Sequence, residues 1–180
     1  LSDGPCVIEN LPDISDVSTI LRTMQSLGAQ IRMINRSTVE IDPRHVNSFV
    51  VSKKMAEGMR ASSYFLGALL GRMLRARVAP PGGCDFGVRP IDQHIKGFEA
   101  LGAKMTIENG MVDAKAMSLT GCLIYLDVVS VGATINIMLA AAKADGLTII
   151  KNAAREPHIV DLANFVNSMG ANIMGAGTGV

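Results

Sequence analysis

Apolar residues recur at helical spacing in three stretches of the chain, and each stretch ends in the same kind of tag, an apolar residue followed by Gly-Ala. Val17, Ile20, Leu21, Met24 and Leu27 fall at i, i+3, i+4, i+7 and i+10, which lines one face of an α-helix. Ile95, Phe98 and Leu101 repeat that stripe, and so do Ile159, Leu162, Ala163, Val166 and Met169. The tags are Leu27-Gly28-Ala29, Leu101-Gly102-Ala103 and Met169-Gly170-Ala171. Glycine at that place suits the left-handed residue that closes a helix, and Ser15 stands where the first helix needs an N-cap. After each tag comes a strand-like stretch, at 30–34, 104–108 and 172–174.

The tags mark an internal repeat. Asp3-Gly4 through Ile8-Glu9-Asn10 parallels Asp145-Gly146 through Ile150-Lys151-Asn152 at the same offset that separates Leu27 from Met169. Two further helices are predicted between the tagged ones, over residues 52–74 and 130–144, and both are apolar around most of their circumference. A helix of that kind is surrounded by other elements, so these two should form the core. One unit then reads strand, helix with an exposed face, two-stranded hairpin, buried helix. The first unit closes near Leu74 and the second near Ala144, while the third reaches Val180 before its hairpin and buried helix. With a start at Leu1 rather than Met, this predicts a single, truncated domain over 1–180, taken from a longer protein.

Composition narrows the class. With 180 residues, 48% of them hydrophobic, the chain can bury a core and is not disordered. Seventeen Lys and Arg against sixteen Asp and Glu leave a net charge of +1, so no global field draws it to nucleic acid or anionic lipid. The absence of Trp, with two Tyr and five Phe, leaves little for base stacking. The longest nearly apolar run, 128–142, is too short for the roughly 20 residues of a membrane-spanning helix. Three cysteines, at 6, 84 and 122, form neither a disulfide framework nor a zinc site, which fits a reducing cytoplasm.

Candidate chemistry concentrates in one segment, Pro80-Pro81-Gly82-Gly83-Cys84-Asp85-Phe86-Gly87-Val88-Arg89-Pro90-Ile91-Asp92-Gln93-His94. Prolines and glycines at this density forbid a regular element, so Cys84 is expected on a loop between a strand at 77–79 and a helix near Asp92. A thiol near Arg89 and a helix start can be stabilised as thiolate. Cys6 and Cys122, flanked by apolar strand residues, read instead as small buried hydrophobes. Arg89 suits a planar anion and Asp92 a sugar hydroxyl or amide donor, although the pair also fits a surface salt bridge. Arg60 opens a buried helix against its dipole; either an anionic ligand or a solvent-facing arginine ahead of the true helix start resolves that. Ser130-Val131-Gly132-Ala133-Thr134 offers free amides to phosphate, or simply a helix N-cap. His45, His94 and His158 have no metal-like spacing, and His45 and His158 read as surface residues.

Pro81-Gly82-Gly83-Cys84 followed by Gly87-x-Arg89-Pro90-x-Asp92-x-His94 resembles the active-site loop of the UDP-N-acetylglucosamine 1-carboxyvinyltransferases, a family of enolpyruvyl transferases. Met59-Arg60-Ala61-Ser62, Ser130 to Thr134 and Asn152-Ala153-Ala154-Arg155-Glu156-Pro157 resemble further landmarks in the same order, so the likeness covers the whole chain. Tyr125-Leu126-Asp127-Val128-Val129 and Gln93-His94-Ile95-Lys96-Gly97-Phe98-Glu99 look most like the second form found in low-GC Gram-positive bacteria.

The resemblance implies an α/β fold, an inside-out α/β barrel of repeated units with helices inside. It implies transfer of the enolpyruvyl group of phosphoenolpyruvate to the 3-hydroxyl of UDP-N-acetylglucosamine, with release of phosphate and no metal or organic cofactor, as the first committed step of peptidoglycan synthesis. By position, Cys84 matches the catalytic cysteine, general acid toward the enolpyruvyl methylene, site of a covalent phosphoenolpyruvate adduct and target of fosfomycin. Arg60 matches a sugar-nucleotide contact; Arg89, Pro90, Ile91, Asp92 and Gln93 match the segment gripping uridine and diphosphate; Ser130, Val131 and Gly132 match backbone contacts to phosphate.

There are departures. Val128 stands where many Gram-negative members carry lysine, and Asp85 and Phe86 follow the cysteine where smaller or aliphatic residues are commoner. A Lys-Asn pair near the family's N-terminus and a second domain with its aspartate base lie outside this sequence, so these 180 residues alone are expected not to turn over. Two alternatives are a 5-enolpyruvylshikimate-3-phosphate synthase, which lacks the Pro-Gly-Gly-Cys loop, and a catalytically dead sugar-nucleotide-binding or regulatory module of the same fold.

Overall fold

The computed structural model describes residues 1–56, 59–80 and 90–180. The repeat is visible in the order of elements. The first unit holds β1 (Cys6–Ile8), α1 (Ser15–Ser26), β2 (Gln30–Asn35), β3 (Thr38–Asp42), β4 (Val50–Val51), α2 (Lys53–Ala56), a 3-10 turn (Arg60–Ser63) and α3 (Tyr64–Met73). The second holds β5 (Arg75–Val78), α4 (Asp92–Ala100), β6 (Lys104–Glu108), β7 (Met111–Lys115), β8 (Leu123–Tyr125) and α5 (Val131–Ala141). The third begins with β9 (Ile149–Lys151) and α6 (Pro157–Ser168). Gly28, Gly102 and Gly170 of the three tags all take positive φ, near +100°, as helix-closing glycines do.

Each unit's hairpin lies antiparallel to its own first strand, giving β1-β3-β2 and β5-β7-β6. The short strands β4, which the hydrophobic pattern does not predict, and β8, which it touches only as strand residues beside Cys122, do something different. Val50 pairs with Arg77 and Leu123 with Ile149, both in parallel register, so each short strand joins its unit to the first strand of the next. These contacts stitch the repeats together.

The sheets lie outside and the apolar helices inside. Ala76, Val78, Val112 and Ala114 of the β5-β7 pair are at most 2% exposed and pack with Leu66, Leu69 and Leu70 of α3 and Ala133, Ile137 and Ala140 of α5. Period-two alternation along β5 and β7 delivers one apolar face to that core and one polar face to solvent. Phe98 of α4 and Leu101, its C-cap residue, are fully buried in the same cluster, which stabilises the fold by about 1.5–3 kcal/mol for each side chain. The architecture is the inside-out α/β arrangement, and among the described residues its sheets do not close into a barrel.

Four expectations need correction. The helix expected over 52–74 is divided into α2, the 3-10 turn and α3, with residues 57 and 58 outside the described set. Ser15 is the first helical residue of α1 rather than its cap; Ile14 holds the N-cap position with extended backbone and no side-chain cap bond. Residues 172–174 do not form a strand: Asn167 of α6 donates from Nδ2 to the Ile173 carbonyl at 2.8 Å and accepts from its N–H at 2.7 Å, taking both groups a ladder would use. Cys6 and Cys122 are only half-buried, and their thiols donate to main-chain carbonyls of Ile41 (3.7 Å) and Ala100 (3.2 Å). No helix among the described residues is long and apolar enough to cross a membrane.

Candidate functional site

Three helices place their N-terminal ends together. Gly67 of α3 lies against Asn136 of α5, and Gly71 against Leu139 and Ala140, so both partners advance in the same direction and the helices are parallel. Gly97 of α4 lies against Ile137 and His94 against Gly132, which sets α4 parallel to α5 as well. The aligned helix dipoles put partial positive charge at one end of the molecule without help from net charge, although the 3-10 turn runs into α3 and engages the Tyr64 N–H. The close approach rests on glycine. A methyl group at Gly67 would overlap the Asn136 main chain.

Most of the residues expected at a site, where described, meet at this end. Ser130 is the N-cap of α5, with extended backbone and its Oγ accepting from the Ala133 N–H at 3.3 Å. The N-cap reading of that stretch therefore holds. The cap satisfies Ala133, and the helical geometry leaves the amides of Val131 and Gly132, both half-buried, with no acceptor inside the helix. Pro90 and Asp92 are exposed and Ile91 half-buried at the start of α4, whose third residue, His94, lies against Gly132. Thus 90–93 from one helix and 130–132 from another come to one place.

Gln93 is more constrained than the sequence suggests. It is buried and its carboxamide is occupied: Oε1 accepts from the Asp127 N–H at 2.9 Å, while Nε2 donates to Asp92 at 2.7 Å and to Asp127 at 3.3 Å. Its side chain docks the 127–130 turn on α4, so any ligand contact from this residue falls to its main chain. Lys96 completes the brace with a 2.6 Å ion pair to Asp127. The Lys96 bond, then the Gln93 bond, hold the Asp127 carboxyl below the usual carboxylate range, and the Gln93 bond does the same for Asp92. Val128, the residue after Asp127, is 58% exposed.

Arg60 opens the 3-10 turn ahead of α3, so it precedes the α-helix rather than sitting in its first turn. Cys84 and Arg89 lie outside the described residues. Burial pushes the thiols of Cys6 and Cys122 upward, away from thiolate chemistry. His45 and His158 are exposed, as expected, whereas His94 is 9% exposed and its Nδ1 has no hydrogen-bond partner. Sequence reasoning placed His94 and Thr134 inside motifs but gave neither a buried role, and it did not single out the buried Asn136, whose signal was a polar residue on the apolar side of a helix.

The chain matches, over residues 1–180, the family described as EPSP synthase (3-phosphoshikimate 1-carboxyvinyltransferase). Curated relatives include UDP-N-acetylglucosamine 1-carboxyvinyltransferase 3 of Caldanaerobacter subterraneus subsp. tengcongensis, 57% identical over 99% of this chain and 42% of the relative. Another is UDP-N-acetylglucosamine 1-carboxyvinyltransferase 2 of Bacillus subtilis, 51% identical over 100% of this chain and 42% of the relative. The chain therefore spans less than half the length of these relatives. Among solved structures, the enolpyruvyl transferase NikO from Streptomyces tendae superposes with a TM-score of 0.81 at 24% identity, over 98% of this chain and 42% of that one. An EPSP synthase from Acinetobacter baumannii gives 0.66 at 19% identity, over 87% and 36%. These likenesses show the fold.

Proposed function

The chain belongs to the EPSP synthase (3-phosphoshikimate 1-carboxyvinyltransferase) family, and on that footing we propose that it supplies the cysteine-loop part of a UDP-N-acetylglucosamine 1-carboxyvinyltransferase. The reaction moves the enolpyruvyl group of phosphoenolpyruvate to the 3-hydroxyl of UDP-N-acetylglucosamine and releases phosphate, in the cytoplasm, on the way to peptidoglycan. Sequence favours the sugar nucleotide over shikimate phosphate as acceptor, since relatives named for the former exceed 50% identity while the EPSP synthase structures share 19–20%.

The observation that carries this reading is the meeting of 90–93 with 130–132 beneath three parallel helix N-termini. Such an end binds a diphosphate through main-chain amides and dipoles. Arg60 and Arg89 add fixed positive charge, and Asp92, held ionised, accepts from a hydroxyl or ring N–H of the nucleotide. Cys84 delivers a proton to the methylene carbon of phosphoenolpyruvate as the 3-hydroxyl oxygen bonds to the neighbouring carbon; loss of a proton and of phosphate from that tetrahedral adduct restores the double bond. The second domain and its base are contributed from outside these residues.

Fosfomycin tests the assignment. With UDP-N-acetylglucosamine present, the intact protein is expected to gain the mass of one fosfomycin on a peptide containing Cys84, and Cys84→Ser to gain none. An unmodified wild-type mass would instead favour a binding module without catalysis.

A further inference from the structure

The outer face of the second unit's sheet carries a row of like charges. Register sets Arg75 of β5 directly opposite Lys115 of β7, and Lys115 directly opposite Lys104 of β6. Their chain neighbours Ala76, Ala114 and Ala103 are buried in the core, so alternation along the strands turns all three cations outward. With strands about 4.8 Å apart, the row is about 10 Å wide. Lys104 and Lys115 are exposed; Arg75 is half-buried, with its guanidinium 4.2 Å from the centre of the Phe49 ring and its Nε without a hydrogen-bond partner. Among the described residues none of the three lies within ion-pair distance of a carboxylate, and Asp113, in the next row, is taken by Arg77 at 4.0 Å.

Neither the repeat nor the helix dipoles account for this row. At the matching places of the first unit stand Gln30 and Asp42, with Asp42 paired to Arg44, so the hairpin forms there without facing cations. The row lies where α3 and α4 end: Arg75 follows Leu74, the C-cap of α3, and Lys104 follows closely on Leu101, the C-cap of α4. Two helix C-termini together amount to about one negative charge, less than the row's three positive ones. Arg72 already stands in the last turn of α3. Like charges directly opposite one another destabilise a sheet, and here they gather in a chain whose net charge is only +1. An anionic partner removes that repulsion.

The size of the row decides among anions. Nucleic acid binding by counterion release draws on about 6–10 phosphate contacts, and recognition of an anionic membrane on about 4–8 clustered basic residues. Three cations fall short of both. They match a short acidic stretch of polypeptide, in which alternate side chains of an extended segment project to one side about 7 Å apart, so that two or three carboxylates span the row. Apolar side chains flank it: Met117, just beyond Lys115, is 90% exposed, and Val50 of β4 is exposed as well. We propose that this face of the second unit is a docking surface for an acidic segment of a partner protein, whose carboxylates meet Arg75, Lys115 and Lys104 while an apolar side chain covers Met117. The surface lies at the C-terminal ends of the helices whose N-termini form the candidate site, so it stands independently of the functional reading above.

A fluorescent peptide of sequence Glu-Glu-Leu-Glu-Glu is a suitable probe. At low ionic strength the intact protein is expected to raise its anisotropy, equally with and without saturating UDP-N-acetylglucosamine. Combining Lys104→Gln with Lys115→Gln removes two exposed ion pairs and is expected to weaken probe binding about tenfold. The same double variant should keep or raise the urea midpoint, because it relieves repulsion within the sheet. A lowered midpoint would mean that the row serves the fold, and overturns the proposal. It is overturned equally by a wild type that does not bind the probe, by undiminished binding in the folded double variant, or by displacement of the probe with UDP-N-acetylglucosamine. Tighter binding of single-stranded DNA or phosphatidylserine vesicles than of the peptide, lost in the double variant, would assign the row to a phosphate polyanion instead.

Discussion

Gly67 and Gly110 separate two costs that a glycine can hide. Gly67 has ordinary helical surroundings inside α3, and in an isolated helix alanine there would gain about 1 kcal/mol. In the folded protein a methyl group at 67 would overlap the Asn136 main chain, which cannot yield without parting the two inner helices. Gly67→Ala is therefore expected to lose about 2–3 kcal/mol net, read as a lower urea midpoint, and a raised midpoint would refute the packing described here. Gly110 is the converse. Nothing lies within 4 Å of its missing side chain, but its φ is +71°, following Asn109 at +52°, as the tight turn of the β6-β7 hairpin demands. Gly110→Ala should cost about 1 kcal/mol through backbone conformation alone.

At the scale of elements, α3 and α5 are joined by more than apolar contact. Asn136 is fully buried, accepts from the Gly67 N–H at 2.8 Å through Oδ1 and donates from Nδ2 to the Gly132 carbonyl at 3.1 Å. Asn136→Ala removes the acceptor of the Gly67 N–H in the core, while the Gly132 carbonyl keeps its main-chain helix bond, and is expected to destabilise by about 2–4 kcal/mol, the sum of an unsatisfied N–H and a small void. A loss under about 0.5 kcal/mol in chemical denaturation would show the seam to be apolar in substance. Such a residue explains what pattern reading can and cannot reach. The tagged helices, the hairpins and the two inner helices follow from spacing because each presents a continuous apolar face, and that spacing is local. Asn136 and Thr134 interrupt an otherwise apolar run, so the run reads as helix while their partners, 69 and 20 residues away along the chain, stay invisible. The two-residue β4 leaves too little period to detect, and the pairing of β4 and β8 stays out of reach because their partner strands belong to the next unit. The site was legible in the same uneven way: the motif at 90–93 and the Ser130 cap stand in sequence, whereas the parallel stacking that brings them together depends on glycines at 67, 71 and 97 meeting particular neighbours. His94 lay inside the motif, but its isolation from hydrogen-bond partners is a property of the packed state alone.

Over the whole molecule, the repeats are bound together unequally. The first two units share one apolar cluster that runs from Leu27 through Leu70 and Phe98 to Ala140, with no boundary between them. The third unit packs on the far side of α5 through a smaller cluster of Ile135, Met138, Ala154, Ile159 and Ala163. Its main polar tie there is the Ala154 N–H donating to Thr134 Oγ1 at 3.1 Å, with both residues 1% exposed. Free energies of opening follow buried contact, so α3 and α5 should exchange their amide hydrogens only through the largest opening, and α6 through a smaller one. Thr134→Val conserves shape but leaves the Ala154 N–H without an acceptor, which costs about 1–3 kcal/mol. Because that bond lies between units, the loss should fall on the third: native-state hydrogen exchange in α6 is expected to accelerate by about tenfold to a hundredfold, while α3 changes less. Equal acceleration in both helices would mean that the third unit opens with the core as one cooperative body, and that β8 pairing with β9, rather than the Thr134 bond, governs its attachment.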